Sequence, residues 1–332
     1  MNCDFVLICD NNYVMPTIVT ITSIVANFNK NDKPIFHILT YSLSNENHTH
    51  FANIAFELNV DINIYDQTNN DSYNKKLMYV DQKSHVTATA LLKFEIPNII
   101  PQDIERVCYL DSDIIVKKDI SSLFLIDILD KYVSACYEFW KLKMAELEFK
   151  KDLVIPDFYF NSGVLLLNLV KLREDRVSDR LWSNKIDLLN DKNNKSFLMD
   201  QDVLNNILGR DCIPLLFKYN CNPYFITDHD SKLLNSVYGT NYANAEEIYD
   251  DAVVLHYVGK EDKPWKYNTA RCRDIWDRYY QLAGYEVSSL KRINYTTSSY
   301  EKLQKIVRLI KTNGLLYAFK YVKTAIARRR SP

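Results

Sequence analysis

Short apolar runs alternating with stretches of helical period fill the first third of the chain, and no other feature restricts its fold as tightly. Asp4–Cys9 reads as a compact strand, and Pro16 opens a helix whose Ile18, Ile21, Ile24 and Val25 fall at helical spacing. Pro34–Thr40 reads as a second strand, Ser44–Glu57 as a helix with Ser44 as its N-cap, and Val60–Tyr65 as a third strand. The Asn- and Lys-rich residues 67–76 are expected to form a loop, and Val86–Ile96 a helix running into Pro97. This β-α-β-α-β alternation predicts an α/β fold, a parallel sheet with helices on both faces. Such sheets bind ligands at the carboxyl ends of their strands.

The next apolar run carries charge at that edge. Cys108–Val116 reads as one buried strand interrupted by Asp111 and Asp113. Residues two apart on an extended chain project to the same side, so the two carboxylates could share one divalent cation. A short acidic pair in a solvated turn is the commoner occurrence. Asp10 and Asn12, just after the first strand, fall at the same edge of the sheet, and that convergence argues for a site.

Composition sets outer limits. The 332 residues, 47% hydrophobic and 25% charged, suit one large α/β domain or two smaller ones, and no run of 18 apolar residues suggests a membrane span. The first residues lack the basic stretch of a secretory signal and look like a strand. Seven scattered cysteines without a Cys-x-x-Cys pair are expected to be reduced core thiols of a cytosolic protein. The formal net charge of −1 conceals an asymmetry: eleven Lys or Arg and one acid follow Ser289, leaving 30 basic and 41 acidic residues before it. An acidic body with a basic tail is expected, divided as residues 1–283 and 284–332.

Further along, the strand Val133–Tyr137 ends at Glu138. Phe158–Asn168 reads as a strand with polar residues at its start, followed by a helix from about Leu169 to Leu189. Asp200, Gln201 and Asp202 stand at the start of a helix, and the strand Ala252–Tyr257 leads to Gly259 and Lys263-Pro264-Trp265. Six motifs thus occur in one order: Cys9–Tyr13, the basic residue Lys93, Tyr109–Asp113, Phe160–Val164, Asp200–Asp202 and His256–Trp265. Together, over about residues 4–280, they resemble the family 8 glycosyltransferases of the GT-A fold, the group containing bacterial lipopolysaccharide galactosyl- and glucosyltransferases and glycogenin.

The resemblance implies a Rossmann-like mixed, mainly parallel sheet, and retaining transfer of a hexose from UDP-galactose or UDP-glucose to an oligosaccharide or glycolipid acceptor. It implies that Asp111, Asp113 and His256 hold Mn²⁺, with Mg²⁺ as a substitute. It places Asp10, Asn12, His85, Val86 and Ser112 near the nucleotide, and Gly259 with Lys263 at the phosphates, Lys260 being the alternative lysine. Lys93, Asn161, Asp200 and Gln201 fall at the donor sugar, Gln201 nearest the anomeric carbon, and Glu138 on the acceptor side. Each has a plainer reading alone: a solvated lysine, an Asp-Asn-Asn turn, a satisfied strand histidine. Metal-dependent nucleotidyl transfer also uses acidic pairs but needs no Asp200-Gln201 facing a sugar. A non-catalytic UDP-sugar-binding protein held at a membrane by its tail is the other reading.

In the tail, Leu303, Ile306, Val307 and Ile310 make an apolar stripe beside Lys302, Lys305, Arg308 and Lys311, and the pattern recurs after Gly314. Basic amphipathic helices lie in membrane interfaces, so a cytoplasmic enzyme peripheral on the inner face of the membrane is expected. A helical pair packed on the body is the alternative. No nucleic-acid recognition motif accompanies the charge.

Overall fold

The computed structural model describes residues 1–79, 88–138, 159–190, 200–227 and 231–296. Its first part winds as the periodicity predicts: β1 (Asn2–Ile8), α1 (Val14–Asn27), β2 (Lys33–Thr40), α2 (Asn45–Leu58) and β3 (Asp61–Asp66). The Ser44 hydroxyl accepts the Asn47 N–H and caps α2. After β4 (Arg106–Leu110) come β5 (Ile114–Val116), β6 (Val133–Tyr137), β7 (Phe160–Asn168), β8 (Cys212–Pro214) and β9 (Val254–His256).

The main sheet has seven strands in the order β3-β2-β1-β4-β7-β6-β8. Only β7 runs against the rest, pairing antiparallel with both β4 and β6. The sheet is therefore mixed and mainly parallel, as expected. The chain steps outward from β1 to β3, then returns to add β4 on the other side of β1, which makes the β1/β4 boundary the switch point where such sheets open a crevice. The reversal of β7 sets its first residue, Phe160, opposite Tyr137 at the end of β6, and Gly163 and Val164 beside the end of β4. A strand start and two strand ends meet at one edge.

Cys108–Val116 is not one strand. β4 stops at Leu110, Asp111–Asp113 form a turn, and β5 leaves the main sheet to pair antiparallel with β9 in a separate two-stranded ribbon. Polar side chains on α1 hold β5 there. Thr20 Oγ1 donates to the Ile114 carbonyl at 2.7 Å, Ser23 Oγ accepts the Val116 N–H at 2.9 Å, and Asn27 donates to the Val116 carbonyl at 3.0 Å. A polar seam on a buried helix thus satisfies the strand edge that another strand would otherwise fill. The apolar spacing of α1 was legible; the seam at positions 17, 20, 23 and 27 is what it overlooks.

Other elements depart from expectation for local reasons. Residues 67–76 are partly helical: α3 (Asp71–Leu77) starts where the Asn70 side chain accepts the Tyr73 N–H at 3.1 Å, and Tyr73 is buried. In place of a regular helix to Ile96, the described residues form a 3₁₀ turn, Ala90–Glu95, then one α-turn, Ile96–Ile99. Leu91 through Glu95 are all buried, so there is no solvent face for a longer helix to present. The helix expected over 169–189 breaks into Leu169–Glu174 and Val177–Asn190, with Arg176 in the left-handed region at φ 47°.

All seven cysteines are free thiols, five of them buried. Tyr285 stacks on Tyr280 at 4.9 Å, Arg292 pairs with Asp277, and Val287 and Leu290 join the cluster around Trp276. The described residues beyond Ala283 therefore pack on the body; the amphipathic part of the tail lies outside the described residues. Among the described residues, no helix is long and apolar enough to cross a membrane.

Candidate active site

A cavity of about 570 Å³ opens at the β1/β4 switch point, within the usual range for small-molecule sites. A larger groove of about 890 Å³ lies at the amino ends of β1–β3 and contains a hydrogen-bonded Asp4–His37–Tyr65 chain, but none of the motif residues. The smaller cavity holds the chemistry.

Asp111 extends from the last hydrogen bond of the β4/β7 ladder, its N–H donating to the Gly163 carbonyl at 2.9 Å. Asp113 follows at the start of β5, whose register sets Ile114 opposite His256. One ligand-capable atom each of Asp111, Asp113 and His256 fall within 4.8 Å of one another. His256 Nε2 lies 3.5 Å from Asp111 Oδ2 and 3.2 Å from Asp113 Oδ1. On its other side, Nδ1 meets Asn220 Oδ1 at 2.8 Å, and an amide oxygen there requires Nδ1 to carry the proton. With the ring neutral, Nε2 turns a lone pair toward two carboxylates. Two anionic oxygens and a neutral imidazole nitrogen aimed at one point fit a divalent cation.

Two ammonium groups flank this cluster. Lys263 donates to Asp113 Oδ2 and to the Tyr257 carbonyl. Burial alone would raise the Asp113 carboxyl, but the Lys263 ammonium beside it works the other way and the group is held well below the usual carboxylate range. Burial would likewise lower Lys263, yet Asp113 dominates and its pKa rises. Lys260 is exposed in the neighbouring 3₁₀ turn, so Lys263 is the lysine that reaches the site. Lys93, 7% exposed, lies 2.8 Å from Asp200 Oδ2 and 3.4 Å from Asp111 Oδ1, and donates to the Ser162 carbonyl at 3.2 Å. Burial opposes its charge, and the two carboxylates prevail, raising its pKa.

The helix Asp200–Leu208 brings Asp200 and Gln201 to the cavity. Gln201 Oε1 accepts the Ser162 N–H at 3.0 Å, and its Nε2 donates to Glu138 Oε2 at 2.9 Å. Asn161 Nδ2 donates to the same carboxylate oxygen at 2.8 Å. Tyr159 holds Asp202 through a hydrogen bond of 2.5 Å, which leaves Asp202 bracing the helix start. The Glu138 N–H donates to the Tyr159 carbonyl at 2.8 Å, joining the two residues that flank 139–158.

Other expected residues are placed less directly. Asp10 borders the cavity, with Oδ1 accepting the N–H groups of Asn12 and Tyr13. Asn12 is exposed beside it. Ser112 borders the cavity, and its hydroxyl, donating to the Ile8 carbonyl and accepting from Thr17, fastens the turn. Gly259 begins the turn that carries Lys263. His85 and Val86 lie outside the described residues.

Three contributors escape a reading of the sequence. Tyr109 donates to Asp111 Oδ1 at 2.5 Å and lies 4.6 Å beneath the Lys93 ammonium, fixing which carboxylate oxygen faces His256. Tyr13 packs edge-on against Trp265 at 5.8 Å and ties the first loop to the Lys-Pro-Trp segment. Asn220 is delivered by Cys221, which bridges to Leu255 beside β9. Tyr109 sits inside a recognised motif and could have been found; nothing around Asn220 signals it.

Comparison with known proteins agrees with this architecture. The family model for glycosyl transferase family 8 matches residues 4–269. General stress protein A of Bacillus subtilis is 28% identical over 69% of this chain and 72% of its own length. A lipopolysaccharide 1,2-glucosyltransferase of Escherichia coli is 28% identical over 77% of this chain and 71% of its own. Among solved structures, the galactosyltransferase LgtC, in complex with donor and acceptor sugar analogues, superposes with a TM-score of 0.65 at 23% identity, over 90% of this chain and 98% of that one. LgtC shares the fold, and the family model spans most of the chain. This chain belongs to glycosyl transferase family 8 and is a glycosyltransferase.

Proposed function

We propose that the chain transfers galactose or glucose from the UDP-sugar to a glycan acceptor, with retention at the anomeric carbon, in assembly of lipopolysaccharide or another surface polysaccharide. The observation that carries this reading is the meeting of Asp111, Asp113 and His256 within 4.8 Å at a cavity that also contains Lys93, Asp200 and Gln201. The named Escherichia coli relative favours a lipopolysaccharide acceptor and a glucosyl donor.

In this reading Asp111, Asp113 and His256 hold Mn²⁺, whose mixed oxygen and nitrogen donors suit it better than Ca²⁺, with Mg²⁺ as a substitute. Bound there, the ion offsets negative charge on the diphosphate and on the departing UDP. Lys263 gives its ammonium to the same diphosphate, with Gly259 allowing the backbone to approach. Asp10 and Asn12 meet the uracil and ribose, alongside His85, Val86 and the backbone of Ser112. Asp200 accepts hydrogen bonds from sugar hydroxyls while Lys93 balances its charge near the donor. Gln201, clamped by Ser162 and Glu138, is too weak a nucleophile for a covalent intermediate. Front-face attack follows, with the departing phosphate oxygen taking the acceptor hydroxyl's proton. Asn161 and Glu138 border the acceptor side.

UDP release from a panel of UDP-sugars, with Mn²⁺ and with chelator, tests the assignment. UDP-galactose or UDP-glucose should be turned over only with the metal, and Asp113→Asn should lower the rate at least about 100-fold, as expected for removal of charge stabilisation at the reacting centre. Turnover indifferent to both chelation and Asp113→Asn rejects the metal-assisted mechanism.

We assign residues 1–283 to transfer and the basic stretch beyond them to association with the inner face of the membrane. Nine Lys or Arg follow residue 296, and each adds about 1 kcal/mol near an anionic leaflet. Because Tyr285 and Arg292 pack on the body, the informative truncation removes residues 297–332. It should free the protein from anionic liposomes and leave UDP-sugar hydrolysis within about twofold. Unchanged liposome binding rejects the tail as the membrane contact.

A further inference from the structure

Five polar side chains form one hydrogen-bonded line across the site. Gln201 Nε2 to Glu138 Oε2, Asn161 Nδ2 to Glu138 Oε2, Asn220 Nδ2 to Asn161 Oδ1, and Asn220 Oδ1 to His256 Nδ1 measure 2.9, 2.8, 2.9 and 2.8 Å. Three of the five are amides, which can in general face either way. Here they cannot. The Glu138 carboxylate only accepts, so Asn161 must turn its NH₂ to it. The Gly163 N–H donates to Asn161 Oδ1 at 2.9 Å and independently imposes the same orientation. Asn161 Oδ1 then faces Asn220 and demands its NH₂, which leaves Asn220 Oδ1 for the imidazole. The last member of the line has one freedom fewer: Nδ1 must donate, so in the neutral imidazole Nε2 is the nitrogen left with a lone pair.

We infer that Asn220 is a positioning residue through which Glu138 and the Gly163 N–H dictate the tautomer of His256, so that Nε2 presents a lone pair to the space between Asp111 and Asp113. The inference about the tautomer stands on the hydrogen-bond polarity; its consequence for metal binding rests on the proposed metal site. Asn220 is 7% exposed, so water does not substitute for it. A histidine ligand's second nitrogen ordinarily meets a carboxylate or a backbone carbonyl. A relayed amide instead ties the ligand to the residues at the donor sugar. One side chain therefore does two separable things: its oxygen orients the imidazole, and its NH₂ orients Asn161.

Two substitutions divide those tasks. Asn220→Leu removes both. Asn220→Asp keeps an oxygen for Nδ1–H but offers nothing to Asn161 Oδ1. The tautomer is read from long-range ¹H–¹⁵N spectra of metal-free protein labelled at histidine, with the His256 signals assigned by His256→Asn; Mn²⁺ affinity is read by electron paramagnetic resonance of the free ion. In the parent protein the neutral His256 should be the Nδ1–H tautomer, read at a pH where its ¹⁵N shifts show that only one ring nitrogen is protonated. Asn220→Leu should introduce the Nε2–H tautomer and weaken Mn²⁺ by about 10–100-fold, the usual range for losing a metal ligand's supporting partner. Asn220→Asp should retain the Nδ1–H tautomer and parent-like Mn²⁺ affinity while lowering kcat about tenfold, through the loosened Asn161, as expected for modest misplacement at a reacting centre.

An Nε2–H tautomer in the parent protein overturns the inference without any variant, so misfolding of a mutant cannot shield it. An Asn220→Leu protein with unchanged tautomer overturns it as well. Equal weakening of Mn²⁺ by Asp and Leu overturns the division of tasks. A parent protein that shows the Nδ1–H tautomer but binds no Mn²⁺ supports the relay and rejects the metal site.

Discussion

Gly163→Ala is expected to abolish turnover while leaving a folded protein. A Cβ built on Gly163 would lie 2.1 Å from His256 Cε1, 2.6 Å from His256 Nδ1 and 3.0 Å from Asp111 Oδ2. Gly163 has no left-handed φ to defend, so the conflict is one of space alone. Its backbone cannot retreat easily, because its carbonyl accepts the Asp111 N–H and the adjacent Val164 is in register with Leu110. The imidazole must therefore swing away from Asn220, breaking the contact that orients it. Displacement by about 1 Å at a reacting centre costs on the order of 100-fold in rate, and a displaced ligand adds to that. Overpacking should cost about 1–3 kcal/mol of stability. Thermal melting together with UDP-sugar turnover checks this: a rate within tenfold of the parent would show that the imidazole need not stay where it lies.

Lys93→Met should be nearly as damaging, with a different signature. Methionine fills the same volume over Tyr109 but leaves Asp111 and Asp200 facing each other without the cation between them. Breaking a buried pair by removing one partner costs about 3–5 kcal/mol. The carboxylates are 29% and 20% exposed, so solvent screening reduces the expected loss to about 2 kcal/mol. Turnover should fall at least about 100-fold, since the charge that balances Asp200 beside the donor is gone. Lys93→Arg should not rescue it, because the planar guanidinium does not fit a slot shaped for a point charge. The comparison is made at a temperature where all variants are folded; recovery of the rate there would reduce Lys93 to a support of the fold.

The two substitutions also mark how far the residues alone could be read. The parallel half of the sheet was legible because a strand buried on both faces reads as an unbroken apolar run, and because Ser44 announces α2. The departure of β5 was not: Ile114-Ile115-Val116 looks the same whether it continues β4 or joins another ribbon. What decides the matter is Thr20, Ser23 and Asn27, whose hydrogen-bonding partners lie about 90 residues away. Motif order brings Asp111, Asp113, His256 and Lys263 forward, and geometry sets Lys260 aside, since it is exposed while Lys263 reaches Asp113. Gly163 could be named from its motif, but the need for a missing Cβ appears only with the imidazole beside it. Asn220 had no such signal, since its importance lies in which way an amide faces.

The hydrogen bond between Glu138 and Tyr159 has a consequence for diversification. Glu138 and Tyr159, the described residues on either side of 139–158, are hydrogen-bonded neighbours, so the length of chain between them is free of the sheet's register. Lengthening or shortening that stretch should leave the sheet, the ribbon and the cluster of Asp111, Asp113 and His256 as they are.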